Sequence, residues 1–196
     1  MSTAFDNKIS VLILQHPQEP DKELGTARLA ASLLKNAQVR VGLSWPNLSK
    51  AVHGKITDPE KQKEDPKNWG VLYLGSGIKG VNPSPEKEYL WVDKKGGPLS
   101  VEKSKAIESN LKGVIVIDGT WSQAKALWWR NAWLLKCQRL ILQPKTPSLY
   151  GKLRKEPRRE CVSTIETVAL ILSALGENDK IKPALLDAFK EHLKKF

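Results

Sequence analysis

Residues 114–129, VIVIDGTWSQAKALWW, contain the clearest secondary-structure pattern in the sequence. Its first four residues are apolar and mostly β-branched, which is typical of a strand covered on both faces in a parallel sheet. The strand stops at Asp118, and Gly119 supplies a tight turn. Thr120 and Gln123 have the spacing of a capping box, and the Ala, Lys and Leu residues that follow favour helix. The stretch therefore predicts a buried strand, an acidic turn and a helix.

The acidic turn lies where an open α/β sheet holds its ligands. Such ligands bind outside the carboxyl ends of the strands, so Asp118, Gly119, Thr120 and Trp121 are candidate site residues. An ordinary connector with a capping threonine has the same pattern. The turn alone does not choose between these interpretations.

The rest of the chain alternates short apolar runs with segments of helical periodicity, which is typical of an α/β sheet. A charged, proline-containing segment at 56–68 reads as a solvated loop. We expect one domain over residues 1–196, with a mostly parallel sheet flanked by helices. The predicted strands are 11–14, 39–43, 69–74, 89–93, 114–117 and 138–142, and the main predicted helices are 26–37, 104–111, 120–129, 163–175 and 182–196.

The composition favours a polyanionic partner. The formal net charge is +11 and the sequence pI is about 9.6, so nucleic acid is the first expected partner and acidic lipid the second. No apolar run has the length of a membrane-spanning helix, and the first residues lack the pattern of a signal peptide, so we expect a cytoplasmic protein without a membrane partner. Cys137 and Cys161 are isolated, which favours buried free thiols over a disulfide or a zinc site.

Residues 75–80, GSGIKG, match the glycine pattern of a dinucleotide-binding loop, and Asp93 follows at about the expected distance. That loop requires a helix to begin at the third glycine, whereas Pro83 and Pro85 oppose a helix here. We therefore reject a dinucleotide site. The glycines still allow a ligand to approach the backbone closely.

The helix that follows Asp118 ends in a cluster of tryptophans, Trp128, Trp129 and Trp133. Tryptophans at helical spacing usually belong to a core or a subunit interface, and stacking on nucleobases is the alternative.

Two further segments could contact phosphate. The loop after the 138–142 strand carries basic residues that are either phosphate contacts or a solvated surface. Ser163 and Glu166 have the spacing of a capping box. The start of their helix could bind a carboxylate or a phosphate, or the two residues could simply cap the helix. The basic residues of the loop are Lys152, Arg154, Lys155, Arg158 and Arg159.

Several ordered motifs together resemble those of the DTW-domain proteins, which transfer the 3-amino-3-carboxypropyl group of S-adenosylmethionine to a uridine of tRNA. The resemblance covers nearly the whole chain. The motifs are QHPQE at 15–19, LYLGS at 72–76, DGTW at 118–121 followed by SQAKAL, YGKLRKEP at 150–157 and STIE at 163–166.

The family is similar to the SPOUT methyltransferases, so the resemblance implies a SPOUT-like sheet with a C-terminal trefoil knot that holds the sulfonium ligand. It implies S-adenosylmethionine as co-substrate and tRNA as partner, and it leaves a homodimer open. Many relatives begin with a cysteine-rich segment that looks zinc-binding; this sequence starts directly at the first strand, so we expect no metal. It also has Gly25-Thr26 where relatives usually have Asn-Thr, and Leu-Tyr-Leu-Gly where they often have Leu-Tyr-Pro.

The resemblance implies Asp118, Thr120 and Trp121 as catalytic residues. Asp118 would take the imide proton of uridine or stabilise the sulfonium, Thr120 would act mainly through geometry, and Trp121 would pack the site or stack on the uracil. The implied S-adenosylmethionine contacts are Leu74, Gly75, Ser76, Gly77, Ile117, Gly119, Leu142, Pro144, Tyr150, Leu153, Ser163 and Thr164. The implied tRNA contacts are Lys125, Arg154, Arg158 and Arg159, together with His16 and Glu19, which could equally hold their own turn.

Two other functions are compatible with the sequence. One is a SPOUT-type RNA methyltransferase that uses the methyl group of the same co-substrate. The other is a basic RNA-binding protein without catalysis.

Overall fold

A computed structural model describes residues 4–20, 22–55, 58, 60, 62–72, 88–151 and 162–196. Its strands are β1 (Ser10–Gln15), β2 (Ala37–Val41), β3 (Trp69–Leu72), β4 (Tyr89–Val92), β5 (Gly113–Asp118) and β6 (Gln138–Leu142). Its helices are α1 (Ala27–Ser32), α2 (Leu48–His53), α3 (Val101–Ser109), α4 (Trp121–Arg130), α5 (Thr164–Ala174) and α6 (Ile181–Leu193), with 3-10 turns at Pro66–Asn68 and Ala132–Lys136.

The six strands form one sheet in the order β2-β1-β5-β3-β6-β4. The first five strands of this order are parallel, and β4 pairs antiparallel with β6 at the edge. The predicted single α/β domain with a mostly parallel sheet is confirmed. Because β1 lies beside β5, Gln15 is the register partner of Asp118 at the carboxyl ends of the two strands.

Helices cover both faces of the sheet. Alternate residues of a strand point to opposite faces, so Val11 and Ile13 of β1 pack towards α1, α5 and α6, and Leu12 and Leu14 pack towards α2 and α4. All four of these side chains are buried. Two-sided burial explains why β1 and β5 are apolar throughout instead of alternating.

Residues 26–37 were predicted as one helix, which is wrong at its C-terminal end. Helix α1 stops at Ser32, and β2 begins at Ala37 instead of residue 39. The N-terminal segment pairs with the intervening residues: the Phe5 amide donates to the Leu33 carbonyl, and the Lys35 amide donates to the Phe5 carbonyl. These long-range hydrogen bonds end the helix at Ser32, although the apolar periodicity of the sequence continues to residue 37.

Other boundaries also shift. Helix α3 begins at Val101 instead of residue 104 because Ser100 caps it, and the 56–68 segment contains the 3-10 turn at Pro66–Asn68. Both capping boxes are confirmed, at Thr120 with Gln123 and at Ser163 with Glu166. The end of the predicted 69–74 strand lies outside the described residues.

Cys137 is buried and free, as predicted. Burial raises the pKa of its thiol to about 12. Cys161 lies outside the described residues. In the described part of the chain, no helix has the length and apolar character needed to cross a membrane.

Candidate active site

Asp118 joins three segments of the fold. Its carboxylate Oδ2 accepts a 2.8 Å hydrogen bond from the Gln15 side-chain amide on β1, and its Oδ1 accepts one from the Thr164 hydroxyl at the start of α5. The Asp118 carbonyl accepts from the His16 amide at 3.1 Å. The carboxylate is thus held from two sides by elements far apart in sequence.

Gln15 is a site residue that the sequence analysis names only as part of the QHPQE motif, without a role of its own. Its side chain is 2% exposed, and its carbonyl Oε1 is buried without a hydrogen-bond partner. Leaving a buried acceptor unsatisfied costs about 1–3 kcal/mol. The signal was a polar residue at the end of an apolar strand, but its significance depends on β1 lying beside β5.

A cleft of about 500 Å³ opens beside Asp118. This volume is in the range of small-molecule sites. Five predicted site residues line it, and a loop after the first strand supplies its other wall. The predicted residues in the lining are Glu19, Asp118, Thr120, Tyr150 and Thr164, and the additional ones are Lys22, Glu23, Leu24, Gly25 and Thr26.

The described lining of the cleft carries more negative than positive charge. It has three carboxylates, Glu19, Glu23 and Asp118, and one ammonium group, Lys22. Lys22 is paired with Glu19 at 2.5 Å, and the Glu19 side chain is largely buried. In a chain with a formal net charge of +11, this local excess of carboxylates favours a cationic ligand.

The start of α5 is fixed by a buried carboxylate. Glu166 accepts hydrogen bonds from the Ser163 amide and hydroxyl, from the Ser148 hydroxyl and from the Leu149 amide, at 2.7–2.8 Å. The Ile165 amide donates to the Thr26 hydroxyl at 3.2 Å. The amides of Ser163 and Ile165 are therefore engaged within the protein, and Thr164 is the α5 residue that lines the cleft.

Tyr150 connects this wall to the opposite one. Its hydroxyl donates to the Leu24 carbonyl at 2.6 Å, and its ring packs edge-to-face on Phe189. The side chain is 2% exposed. Tyr150 thus links the loop at Leu24 to the loop before α5, and both residues line the cleft.

The sequence matches the family model described as the DTW domain over residues 2–196. The chain belongs to the DTW-domain family. It is 30% identical to tRNA-uridine aminocarboxypropyltransferase 2 of Macaca fascicularis over 176 residues, which cover 89% of this chain and 50% of that protein. It is 28% identical to the proteins of the same name from Mus musculus and Drosophila melanogaster, over 89% and 90% of this chain and 50% and 60% of theirs.

The chain spans about half the length of the mammalian relatives it matches. No solved structure matches it.

The DGTW motif of this DTW domain divides between two tasks. Asp118 faces the cleft, whereas the Thr120 hydroxyl accepts from the Gln123 amide at 3.4 Å and the Thr120 amide donates to the Gln123 side chain at 2.6 Å. Trp121 is half-buried as the first residue of α4. Thr120 caps the helix while its exposed side lines the cleft.

Other predicted residues lie outside the cleft lining. Ile117 and Leu142 are buried in the core, Pro144 and Gly119 are half-buried, and Lys125 is exposed on α4. His16 Nδ1 accepts from the Gln18 amide at 3.3 Å, which holds the turn after β1. The predicted residues outside the described part of the chain are Leu74, Gly75, Ser76, Gly77, Leu153, Arg154, Arg158 and Arg159.

The described residues contain no group of three or more His, Cys, Asp or Glu side chains placed to hold a metal ion.

Proposed function

We propose that this protein transfers the 3-amino-3-carboxypropyl group of S-adenosylmethionine to the imide nitrogen of a tRNA uridine. The observation that carries the proposal is the excess of carboxylates in the described lining of the cleft at Asp118, in a basic DTW-domain protein. Carboxylates suit the sulfonium and ammonium groups of S-adenosylmethionine, and the basic exterior suits tRNA. The relatives' names, tRNA-uridine aminocarboxypropyltransferase 2, point to the same reaction.

The residues fit the co-substrate in size and charge. The cleft volume of about 500 Å³ suits a nucleoside with an amino-acid tail. Asp118 and Glu19 would face its positive groups. When bound, S-adenosylmethionine supplies a sulfonium that makes the adjoining γ-carbon electrophilic.

Asp118 has two roles compatible with its geometry. In one, a free lone pair of its carboxylate accepts the imide proton as the uracil nitrogen bonds to the γ-carbon. In the other, its charge stabilises the sulfonium and the proton leaves to water. In both, the bond from the γ-carbon to sulfur breaks and sulfur keeps the electron pair, which leaves uncharged methylthioadenosine.

Gln15 and Thr164 would act through Asp118. Each donates to a different carboxylate oxygen, so together they fix the plane of the carboxylate. Orientation of this kind contributes to catalysis because the reacting atoms must approach along one line. Both are positioning residues in this proposal.

The fate of an isotope label tests the reaction. The protein is incubated with unmodified tRNA and S-adenosylmethionine labelled in the methyl group or in the aminocarboxypropyl group, and the digested nucleosides are analysed by mass spectrometry. We expect only aminocarboxypropyl label, on uridine. Methyl label would replace the proposal with an RNA methyltransferase, and salt-sensitive RNA binding without transfer would replace it with a non-catalytic RNA-binding protein.

We also propose a SPOUT-like trefoil knot in the C-terminal part of the domain, and a cytoplasmic enzyme. The return of the chain from β6, at one side of the sheet, to Thr164 beside central β5 supports the knot. A crystal structure that traces the chain from β6 to α5 tests it. A trace that does not pass through another loop would rule the knot out.

A further inference from the structure

Two tryptophans at the end of α4 and one in the following 3-10 turn, Ala132–Lys136, have different environments. Trp133 is 7% exposed and belongs to the core. Trp128 is half-buried and lies under the Arg139 guanidinium, 5.6 Å from its ring centroid. Trp129 is 76% exposed. The core interpretation therefore holds for Trp133, whereas Trp129 contributes little to folding.

Trp129 lies on the outward face of α4. Ser122, Lys125 and Trp129 are all exposed, and their spacing of three and four residues places them on one stripe of the helix. The opposite face carries the buried Ala124 and Leu127. We call Ser122, Lys125 and Trp129, with the exposed Arg130 at the end of the helix, the outer stripe of α4.

The two cationic side chains of the outer stripe, Lys125 and Arg130, lack a carboxylate partner among the described residues. Neither Lys125 nor Arg130 forms an ion pair there, whereas the exposed Lys190 and Lys194 each pair with a carboxylate. An exposed indole between two unpaired cations fits a ligand that has both an aromatic face and a negative charge.

A second copy of this chain suits the stripe poorly. A two-fold contact would bring Lys125 and Arg130 against cations of the same stripe, in a chain of formal net charge +11. Single-stranded RNA instead offers phosphates for the cations and a base for the indole. The Cβ atoms of residues four apart on a helix are about 5–6 Å from each other, so Lys125 and Trp129 can contact the phosphate and base of neighbouring nucleotides.

The stripe begins beside the cleft. Helix α4 starts at Trp121, three residues after Asp118, and Trp129 lies about 12 Å further along the axis at 1.5 Å per residue. At the other end, the Arg130 carbonyl accepts from the Ser44 hydroxyl at 3.1 Å, and the buried Asn131 donates to the Leu43 carbonyl at 3.0 Å. These contacts hold the end of the helix in place.

We propose that the outer stripe of α4 binds an unpaired nucleotide that flanks the reactive uridine, with its base stacked on Trp129 and its phosphate on Lys125. The proposal rests on the proposed function for the kind of RNA involved. It assigns Trp129 to RNA recognition and not to the core, the cleft or a subunit interface.

Binding of a dye-labelled single-stranded decauridylate, measured by fluorescence anisotropy without S-adenosylmethionine, tests the stripe. Trp129→Ala should weaken binding by about five- to 100-fold, because stacking on an aromatic side chain contributes that much per base. Trp129→Phe should lose less. The control Phe196→Ala removes another exposed aromatic side chain and should leave the affinity unchanged.

The salt dependence separates stacking from phosphate contact. Lys125→Met should reduce the slope of log K against log salt concentration by about 0.7, the value for one phosphate of a single strand. Trp129→Ala should keep the wild-type slope. Circular dichroism and thermal melting of each variant check that the fold is retained.

Equal decauridylate affinity for wild type and Trp129→Ala would overturn the proposal. A loss of self-association in Trp129→Ala by sedimentation, with unchanged affinity for RNA, would overturn it in favour of an interface between copies. These outcomes are independent of the reaction. If the wild-type protein transfers no group but binds RNA through Trp129, the proposed function is wrong and the RNA-binding role of the stripe is retained. If Trp129→Ala transfers the group with unchanged KM for tRNA, the proposed function is retained and the RNA-binding role of the stripe is wrong.

Discussion

The cleft at Asp118 lies at the start of α4, the outer stripe runs along the same helix, and the two have opposite charge. The described cleft lining has three carboxylates and one paired lysine. The stripe has an exposed tryptophan and two cations that form no ion pair with the described residues. The carboxylate in the cleft is held by long-range side-chain hydrogen bonds, whereas the side chains of the stripe project from the surface of a helix.

This contrast separates two kinds of recognition. A cationic small molecule is attracted to a cluster of carboxylates, and a polyanion is attracted to exposed cations. Substitutions in the cleft should therefore alter the reaction and the binding of S-adenosylmethionine while RNA affinity stays the same. Substitutions in the stripe should change RNA affinity while the binding of S-adenosylmethionine and the reaction stay the same.

Glu166→Gln, on the wall of the cleft, is expected to cause the largest loss of stability. The amide NH₂ of glutamine is a hydrogen-bond donor, and it would face the donor groups of Ser148, Leu149 and Ser163, which now bind the carboxylate. We therefore expect the free energy of unfolding to fall by about 3 kcal/mol. Urea denaturation measures it. The control Glu191→Gln, in an exposed ion pair with Lys194, should change stability by less than about 0.5 kcal/mol. Similar losses in both variants would mean that the buried cap is not what holds the wall.

Gln15→Leu should separate catalysis from stability. It removes a hydrogen bond to a charged group, so we expect transfer to slow by about ten- to 100-fold. It also removes the buried unpartnered Oε1, and water can replace the lost donor at half-exposed Asp118, so stability should be unchanged or higher. Single-turnover assays and thermal melting measure the two effects.

Gln138→Leu is the matched control, because Gln138 donates to the Lys67 carbonyl at the start of β6, away from the cleft. It should transfer at the wild-type rate. A large loss of stability in Gln15→Leu would make Gln15 a structural residue and remove its positioning role.

Glu19→Gln should weaken S-adenosylmethionine binding by about tenfold, since it removes one carboxylate and leaves Lys22 unpaired in the cleft. Isothermal titration calorimetry measures this affinity. Decauridylate binding should be unchanged. Weaker RNA binding with unchanged S-adenosylmethionine binding would assign Glu19 to the RNA instead.

Thr120→Ala is expected to have the smallest effect. Loss of the cap on α4 should lower the free energy of unfolding by about 1 kcal/mol. Because its hydroxyl is engaged with Gln123, transfer should change by less than about threefold. A loss comparable to that of Gln15→Leu would instead give Thr120 a direct part in the reaction.

Local patterns made much of this arrangement predictable. Strand β5, the caps at Thr120 and Ser163, and the placement of Asp118 at a strand end depend on neighbours within a few residues. The early end of α1 was not predictable in this way, because Phe5 pairs with Leu33 and Lys35 from outside the helix.

The features of the cleft that the sequence did not predict depend on contacts between residues far apart in the chain. Gln15 becomes a site residue only because β1 lies beside β5, 103 residues along the chain. The wall at Leu24 is placed by Tyr150, 126 residues away. Periodicity and composition carry no information on these pairings.

Asp118→Asn tests whether the Asp118 carboxylate takes part in the proposed transfer. Single-turnover transfer of the aminocarboxypropyl group to tRNA is measured for wild type, Asp118→Asn and the exposed control Asp187→Asn, with tRNA affinity measured in parallel. We predict that Asp118→Asn slows transfer by about 10²- to 10⁴-fold with unchanged tRNA affinity, and that the control matches wild type. A folded Asp118→Asn variant that transfers within about tenfold of the wild-type rate would contradict the account.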